Sequence, residues 1–449
     1  MNTFNHPYRI LLLILLLPFI SGAQDIATKA DQLLSAYHKQ GKFNGTVLLA
    51  KGGKVLFEKG YGVADAGAKA PITPATEYRI GSMSKPFTAI VLLQLQEKGL
   101  LSLKDPLSKF IPDYPKGDSI LVEHLLNHTS GVKSITSMKE YYATWMKEPA
   151  TLVQTISHFK SEPLSFSPGT KFEYSNSNYI LLSYIAEKAS GKTLAQLVQT
   201  GVVQKLGLKA TGLDQNNRAS KHKALGYAAS PEGDFVPARY TELSVLSGAG
   251  GMYATARDLY AWDRALYGTA LLSEASKAQM FTPNKANYAL GWEVRERGGR
   301  KEISHSGSID GYVSNIIRFP EQDACIIFLS NYFESKGPQI CKALTALLFD
   351  EPYELPKERK VIALSADVLN QYVGQYGMEG GPVLAVTLEE GKLKGKLGNQ
   401  PAFEMLPEGE TKFFVKQVDA DVEFAKDESG KVTAITLKQG KAITFKRLP

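Results

Sequence analysis

Ser82 and Lys85 stand three residues apart in "GSMSKPFTAIVLLQLQ", at the start of a run that is apolar nearly all round. Positions i and i+3 share a helix face. A serine hydroxyl becomes a competent nucleophile only beside a base. A lysine serves as that base when burial and positive neighbours lower its pKa. Pro86 suits a first helical turn, where its missing N–H costs nothing, so the helix is expected to begin near Ser82. The free N–H groups and positive dipole end of that terminus favour a serine that passes through an alkoxide and then carries an oxyanion. The tetrad alone is a weak signal, because a capping serine and a solvated lysine give the same four letters.

Other residues add to it. "PGTKFEYSNSNY" places Tyr174-Ser175-Asn176 just ahead of a helical stretch. A tyrosine relays protons if cationic neighbours depress its pKa, and an asparagine amide orients a substrate; a packed loop with a capping Asn176 is the plainer reading. "ISHSGSIDGY" carries His305-Ser306-Gly307 after an expected strand. Gly307 would let a substrate backbone approach closely, and a strand end with a bulge is the alternative. His124 and His128, four apart in "EHLLNH", have a spacing that holds a metal on a helix. No third ligand accompanies them, so core or capping roles are favoured. The glycine-rich "GAGGM" at 248–252 lacks the lysine of a phosphate loop and reads as a tight turn beside the sheet. Tyr141, Tyr142 and Trp145 suit a groove lining, and core packing more.

These residues need a frame. "FNGTVLLAKGGKVLFEKGYGVAD" reads as a hairpin around Gly52-Gly53. From 83 to 200 the pattern is helical, with stops at Gly99 and Gly191. Strand-like runs return in "YALGWEVRE", "KEISHSGSI", "YVSNIIRFP" and "ACIIFLSN", followed by a helix near 337–349. One sheet built from both ends of the chain, with helices on its faces and a helical insertion, accounts for this order. The expectation is a three-layer α/β domain with an antiparallel sheet over 24–350. A proline-bearing, charged linker follows over 351–364. Residues 365–449 alternate apolar and polar positions between tight turns, as a small all-β barrel or sandwich does.

Taken together, "GSMSKPFTA", "HLLNHTSGV", "PGTKFEYSNSNYILLSYIAEKASGKTL", "GAGGMYATARDLYAW" and "HSGSIDGYVSNIIRFP" resemble the serine β-lactamase-related family, in order, from about residue 25 to 350. That family contains class C β-lactamases, D-alanyl-D-alanine carboxypeptidases, D-aminopeptidases and esterases. The resemblance implies that Ser82 is acylated, that Lys85 takes its proton, and that Tyr174 is the relay acid/base. It implies that Asn176 holds the substrate amide and steadies Lys85, that His305 and Gly307 belong to the substrate side, and that the N–H groups of Ser82 and Ser308 form the oxyanion hole. It implies no metal or other cofactor. The C-terminal region resembles the lipocalin-like modules appended to some members.

One departure matters. Efficient β-lactamases of the family usually have Lys-Thr-Gly where this chain has His-Ser-Gly. A lysine is a permanent cation for a substrate carboxylate; a histidine, with a pKa of about 6.5, is only partly charged at neutral pH. The resemblance therefore implies a hydrolase of D-amino-acid peptides or related amides. A carboxylesterase or weak β-lactamase is the alternative. A penicillin-binding or wall-peptide-sensing protein with little turnover is the alternative of another class.

Bulk properties narrow the rest. Arg9, "ILLLILLLPFI" and the small residues Ser21 and Ala23 read as a leader over 1–23, cleaved after Ala23, so the mature protein is expected to be exported, without a stable membrane anchor. Export makes a disulfide between Cys325 and Cys341 feasible, and two buried thiols are equally consistent. The net charge of +7 is scattered rather than gathered into a basic stripe, which argues against nucleic acid as a partner. A small peptide, amide or ester is the expected partner, with acidic wall material favoured by the mild positive charge.

Overall fold

The computed structural model describes residues 19–230, 235–415 and 420–449. The expected leader lies almost wholly outside the described residues. The chain divides between Pro356 and Lys357 into two compact units.

The first unit is built on a six-stranded antiparallel sheet. Its strands are β1 (Gly45–Lys51), β2 (Lys54–Tyr61), β3 (Glu293–Arg297), β4 (Arg300–Ile309), β5 (Tyr312–Phe319) and β6 (Ala324–Ser330), in the order β3-β4-β5-β6-β1-β2. Strands from both ends of the chain meet where Gly45 pairs with Ser330 and Lys51 with Ala324. Successive strand residues point to opposite faces, and both faces are buried. Leu48 and Ala50 enter one apolar cluster, Val47 and Leu49 the other. Helix α1 (Phe19–Lys39) lines the second cluster with a late helix at Gly337–Leu348. Helices α2 (Ser84–Glu97) and α3 (Asn176–Ser190) pack in the first. This is the three-layer α/β arrangement expected, with the helical insertion on one face.

α2 buries 12 of its 14 residues, Ser84 to Leu95, so it behaves as a core helix. Phe87 stacks on Trp262 at 4.1 Å between ring centroids. The two cysteines are free and buried. Cys325 belongs to the first cluster and Cys341 to the second, so the feasible disulfide is not formed.

A polar cluster braces the segment that leads into Ser82. The Asp214 carboxylate has no exposed surface and receives Arg79 Nε at 3.0 Å, Arg218 Nε at 2.7 Å and Lys223 Nζ at 3.4 Å. Burial alone would raise its pKa, but Arg218, Lys223 and Arg79 outweigh it and lower the pKa. The resulting stability is present above the ordinary carboxylate pKa of about 3.9 and is lost as pH falls through the lower, folded value. Asp214→Asn leaves three cations facing a neutral amide. It is expected to cost this unit about 3–5 kcal/mol, read as a lowered midpoint of its urea transition.

The second unit is a closed eight-stranded antiparallel barrel running from Gly374 to Arg447. Tyr372, Tyr376, Phe413, Phe424 and Phe445 fill its interior. Among the described residues no helix is long and apolar enough to cross a membrane.

Candidate active site

The chain reaches the site through a 3₁₀ turn, Gly81–Met83, and α2 follows from Ser84. Ser82 thus lies just ahead of the helix rather than within it, and Pro86 falls in the first turn as expected. Gly81 has φ +49°, a left-handed backbone that glycine adopts without strain. A Cβ there would lie 2.9 Å from Ser308 N, so the nucleophile turn abuts the backbone of β4. β3 pairs with β4 only as far as Ser304, which leaves the stretch from His305 to Ile309 open along one edge. Ser82 and Ser308 line one cleft of 210 Å³.

Lys85 is fully buried and, among the described residues, makes no ion pair with a carboxylate. Its Nζ lies 3.1 Å from Ser82 Oγ, 2.8 Å from Asn176 Oδ1 and 2.7 Å from the Ala249 carbonyl. Burial drives its pKa far below the ordinary lysine value. Only in the neutral form does the amine offer Ser82 a lone pair. Asn176 Oδ1 and the Ala249 carbonyl only accept, so they take its two N–H groups. The lone pair is left for the one neighbour with a proton to give, Ser82 O–H.

The "GAGGM" run supplies that third contact. A Cβ on Gly248 would meet Thr88 Oγ1 at 2.5 Å and Ser183 Oγ at 2.6 Å. Its carbonyl accepts from Thr88 Oγ1 and its N–H donates to Ser183 Oγ. The loop is therefore clamped between α2 and α3, with the Ala249 carbonyl aimed at Lys85. Sequence reasoning saw a tight turn and missed this role; the cluster of glycines was the available signal.

Asn176 opens α3 and lines the cleft. Its Nδ2 donates to Thr136 Oγ1 at 3.0 Å, which fixes the amide so that Oδ1 faces Lys85. Tyr174 keeps 37% of its surface exposed, while its hydroxyl is enclosed beside Ser82. Burial raises its pKa and the bond to Ser82 offsets this only in part. The depressed tyrosine expected from the sequence is not found: Lys85 Nζ sits 4.8 Å over the Tyr174 ring, yet burial outweighs what the neighbours of the hydroxyl supply.

His305 is a second correction. It is buried, and its Nδ1 donates to the Ser306 carbonyl at 2.6 Å. Its Nε2 therefore accepts from Tyr288 Oη at 2.9 Å. Burial, then the nearby Lys85, pushes its pKa down to about 3, so the ring is neutral near pH 7 and does not line the cleft. Gly307 is a third. A Cβ there would lie 1.9 Å from the Ile80 carbonyl, so the backbone that approaches it is the chain's own.

His124 and His128 do not share a helix face. The helix over Val122–Leu126 ends first, and His128 has φ +59°. Its Nδ1 accepts from Ser175 N–H and Asn178 Nδ2, both at 3.2 Å, and its ring lies 4.3 Å from that of Tyr174. His128 thus packs behind the site. Tyr141 and Tyr142 line the cleft, where core packing was favoured. Trp145 instead stacks on His158. Arg239 and Asp310, also in the cleft wall, were missed, because 71 residues separate partners that no local pattern connects.

Comparison with known proteins gives the family and the fold. Residues 358–447 match the family described as Domain of unknown function (DUF3471). The chain is 32% identical over 428 residues to Penicillin-binding protein 4* of Bacillus subtilis (strain 168), covering 89% of this chain and 94% of that protein. The structure of a penicillin binding protein from Bacillus halodurans superposes with TM-score 0.65 at 28% identity, over 70% of this chain and 98% of that one. A D-stereospecific amidohydrolase from Streptomyces sp. superposes with TM-score 0.62 at 25% identity, over 71% and 98%. Residues 30–348, which hold the nucleophile turn, the Ala249 loop, α3 and β4, match the Beta-lactamase family, and the chain belongs to that family.

Proposed function

We propose that this protein is an exported serine hydrolase that forms an acyl-enzyme on Ser82 and acts on D-amino-acid peptides or related amides. The hydrolase domain covers 24–350, the linker 351–364 and the accessory barrel 365–449. One observation carries the reading: a buried Lys85, its pKa driven down by burial, whose Nζ reaches two carbonyl oxygens and the Ser82 hydroxyl; in the neutral form the carbonyls take its two N–H groups and its lone pair faces Ser82.

Each step follows from that arrangement. Lys85 Nζ accepts the Ser82 proton as Oγ attacks the scissile carbonyl carbon. The carbonyl oxygen gains the negative charge and lies between the Ser82 and Ser308 N–H groups. Tyr174, held protonated, gives its hydroxyl proton to the leaving nitrogen as the C–N bond breaks, and Lys85 returns a proton to Tyr174. A water then attacks the ester, with the same groups working in reverse. The leader-like sequence over 1–23 supports export, and the relatives named for penicillin binding or D-stereospecific amide hydrolysis support the substrate class.

Intact mass after incubation with a penicillin tests this directly. A mass increase of one drug molecule is expected on the wild type and not on Ser82→Ala. Labelling that persists in Ser82→Ala would remove Ser82 from the chemistry. Drug hydrolysed with no adduct would mean rapid deacylation and a true β-lactamase.

A further inference from the structure

The third triplet brings no charge to the cleft, because His305 is neutral and turned to Tyr288. Recognition of a charged substrate must come from elsewhere. Among the described residues that line the cleft, only Arg239 and Asp310 carry a charge. Their side chains differ in what they still offer.

Asp310 is largely committed. Its oxygens accept from Arg239 Nη2 at 2.9 Å, from Arg239 Nε at 3.4 Å and from Thr241 Oγ1 at 2.7 Å. Its side chain is 19% exposed. Arg239 uses one edge of the guanidinium on Asp310 and keeps 49% of its side chain exposed. A guanidinium has five N–H donors, and the edge turned away from Asp310 can still meet a carboxylate in a two-point contact. Asp310 weakens the net field but fixes the plane of the fork, and Arg239 also lies 5.1 Å over the Tyr142 ring. The volume of 210 Å³ is small beside the roughly 300–1,000 Å³ of pockets that hold a whole ligand. It suits the end of a chain rather than its middle.

We infer that Arg239, held by Asp310 and Thr241, is the receptor for a terminal carboxylate, so that the substrate is a peptide acid cleaved next to its free C-terminus. The inference rests on the acyl-transfer reading of Ser82. It makes Arg239 a specificity-determining residue and leaves the bond-breaking groups unchanged.

The test is binding to the full chain carrying Ser82→Ala, so that turnover does not intervene. N-acetyl-D-alanyl-D-alanine and its C-terminal amide are compared by calorimetry. The acid is expected to bind about tenfold more tightly than the amide, the lower end for a charge-assisted pair open to solvent. Adding Arg239→Gln is expected to abolish the difference with little change for the amide. Adding Arg239→Lys keeps the charge without the fork and should retain part of it. Equal affinity for acid and amide, no binding of either, or a ratio untouched by Arg239→Gln overturns the inference. So does tighter binding of D-alanine amide that Asp310→Asn removes, since the pair would then serve an ammonium. The Ser82 adduct is read separately with an activated ester on the wild type. An adduct without acid preference sinks only this inference; acid preference without an adduct sinks the hydrolase reading and leaves Arg239 in place.

Discussion

Lys85→Arg is expected to lower kcat by about 10²–10⁴-fold, the range for losing a general base, although the positive charge is kept. An arginine is never deprotonated in a protein, so it has no lone pair for Ser82 O–H. The native lysine does once deprotonated, and burial favours that form by lowering its pKa. Lys85→Met, which removes charge and base together in an unbranched side chain, is expected to fall as far. Near-UV circular dichroism and thermal midpoints show whether each variant is folded. A folded Lys85→Arg with near-native kcat would mean that the residue acts as a cation, and the base assignment would fail.

The pH profile carries the same argument with a sign. Below its lowered pKa Lys85 is protonated and cannot accept, so kcat/KM falls on the acid side. Above it the amine is free and the rate is full. An unshifted lysine, near 10.4, would confine activity to alkaline solution. His305, pushed down to about 3, cannot own a limb near neutrality. His305→Asn is expected to change the rate, through the lost Tyr288 contact, but not the position of the acid limb.

How much of this was readable follows from what each feature is made of. The nucleophile turn was legible because three local signals coincide: a polar pair at helical spacing, a proline in the first turn and an apolar run behind them. The sheet was legible because β1 and β6 are nearly unbroken apolar runs bounded by turns, as strands buried on both faces must be. The barrel was legible from alternation and turns. The Ala249 carbonyl was not, because every residue has a carbonyl and only folding decides which one is aimed. The protonation states were not legible either. His305 and Tyr174 owe theirs to desolvation and to hydrogen-bond partners, and neither is set by sequence neighbours. Gly307 was identified as a close-approach glycine, but what approaches it depends on where the turn after Ile80 docks.

That docking makes Gly307→Ala the second large effect. The added methyl would lie 1.9 Å from the Ile80 carbonyl and 2.4 Å from Ser314 Oγ. The serine can rotate; the carbonyl is backbone and cannot. Ser314 Oγ holds that same carbonyl at 2.8 Å, so the two obstructions are tied together. The strain is relieved only by moving residues 80–82 away from β4, and Ser82 moves with them. In the proposed oxyanion hole, its N–H then moves away from that of Ser308. Losing one oxyanion donor costs about 10²–10³-fold in kcat, and overpacking a tight contact costs about 1–3 kcal/mol of stability. The expected variant is folded, less stable and acylated slowly, with Lys85 still neutral, so the acid limb of its pH profile stays in place while the plateau drops. An unchanged plateau would mean that the turn gives way without disturbing Ser82, and that the oxyanion is stabilised elsewhere.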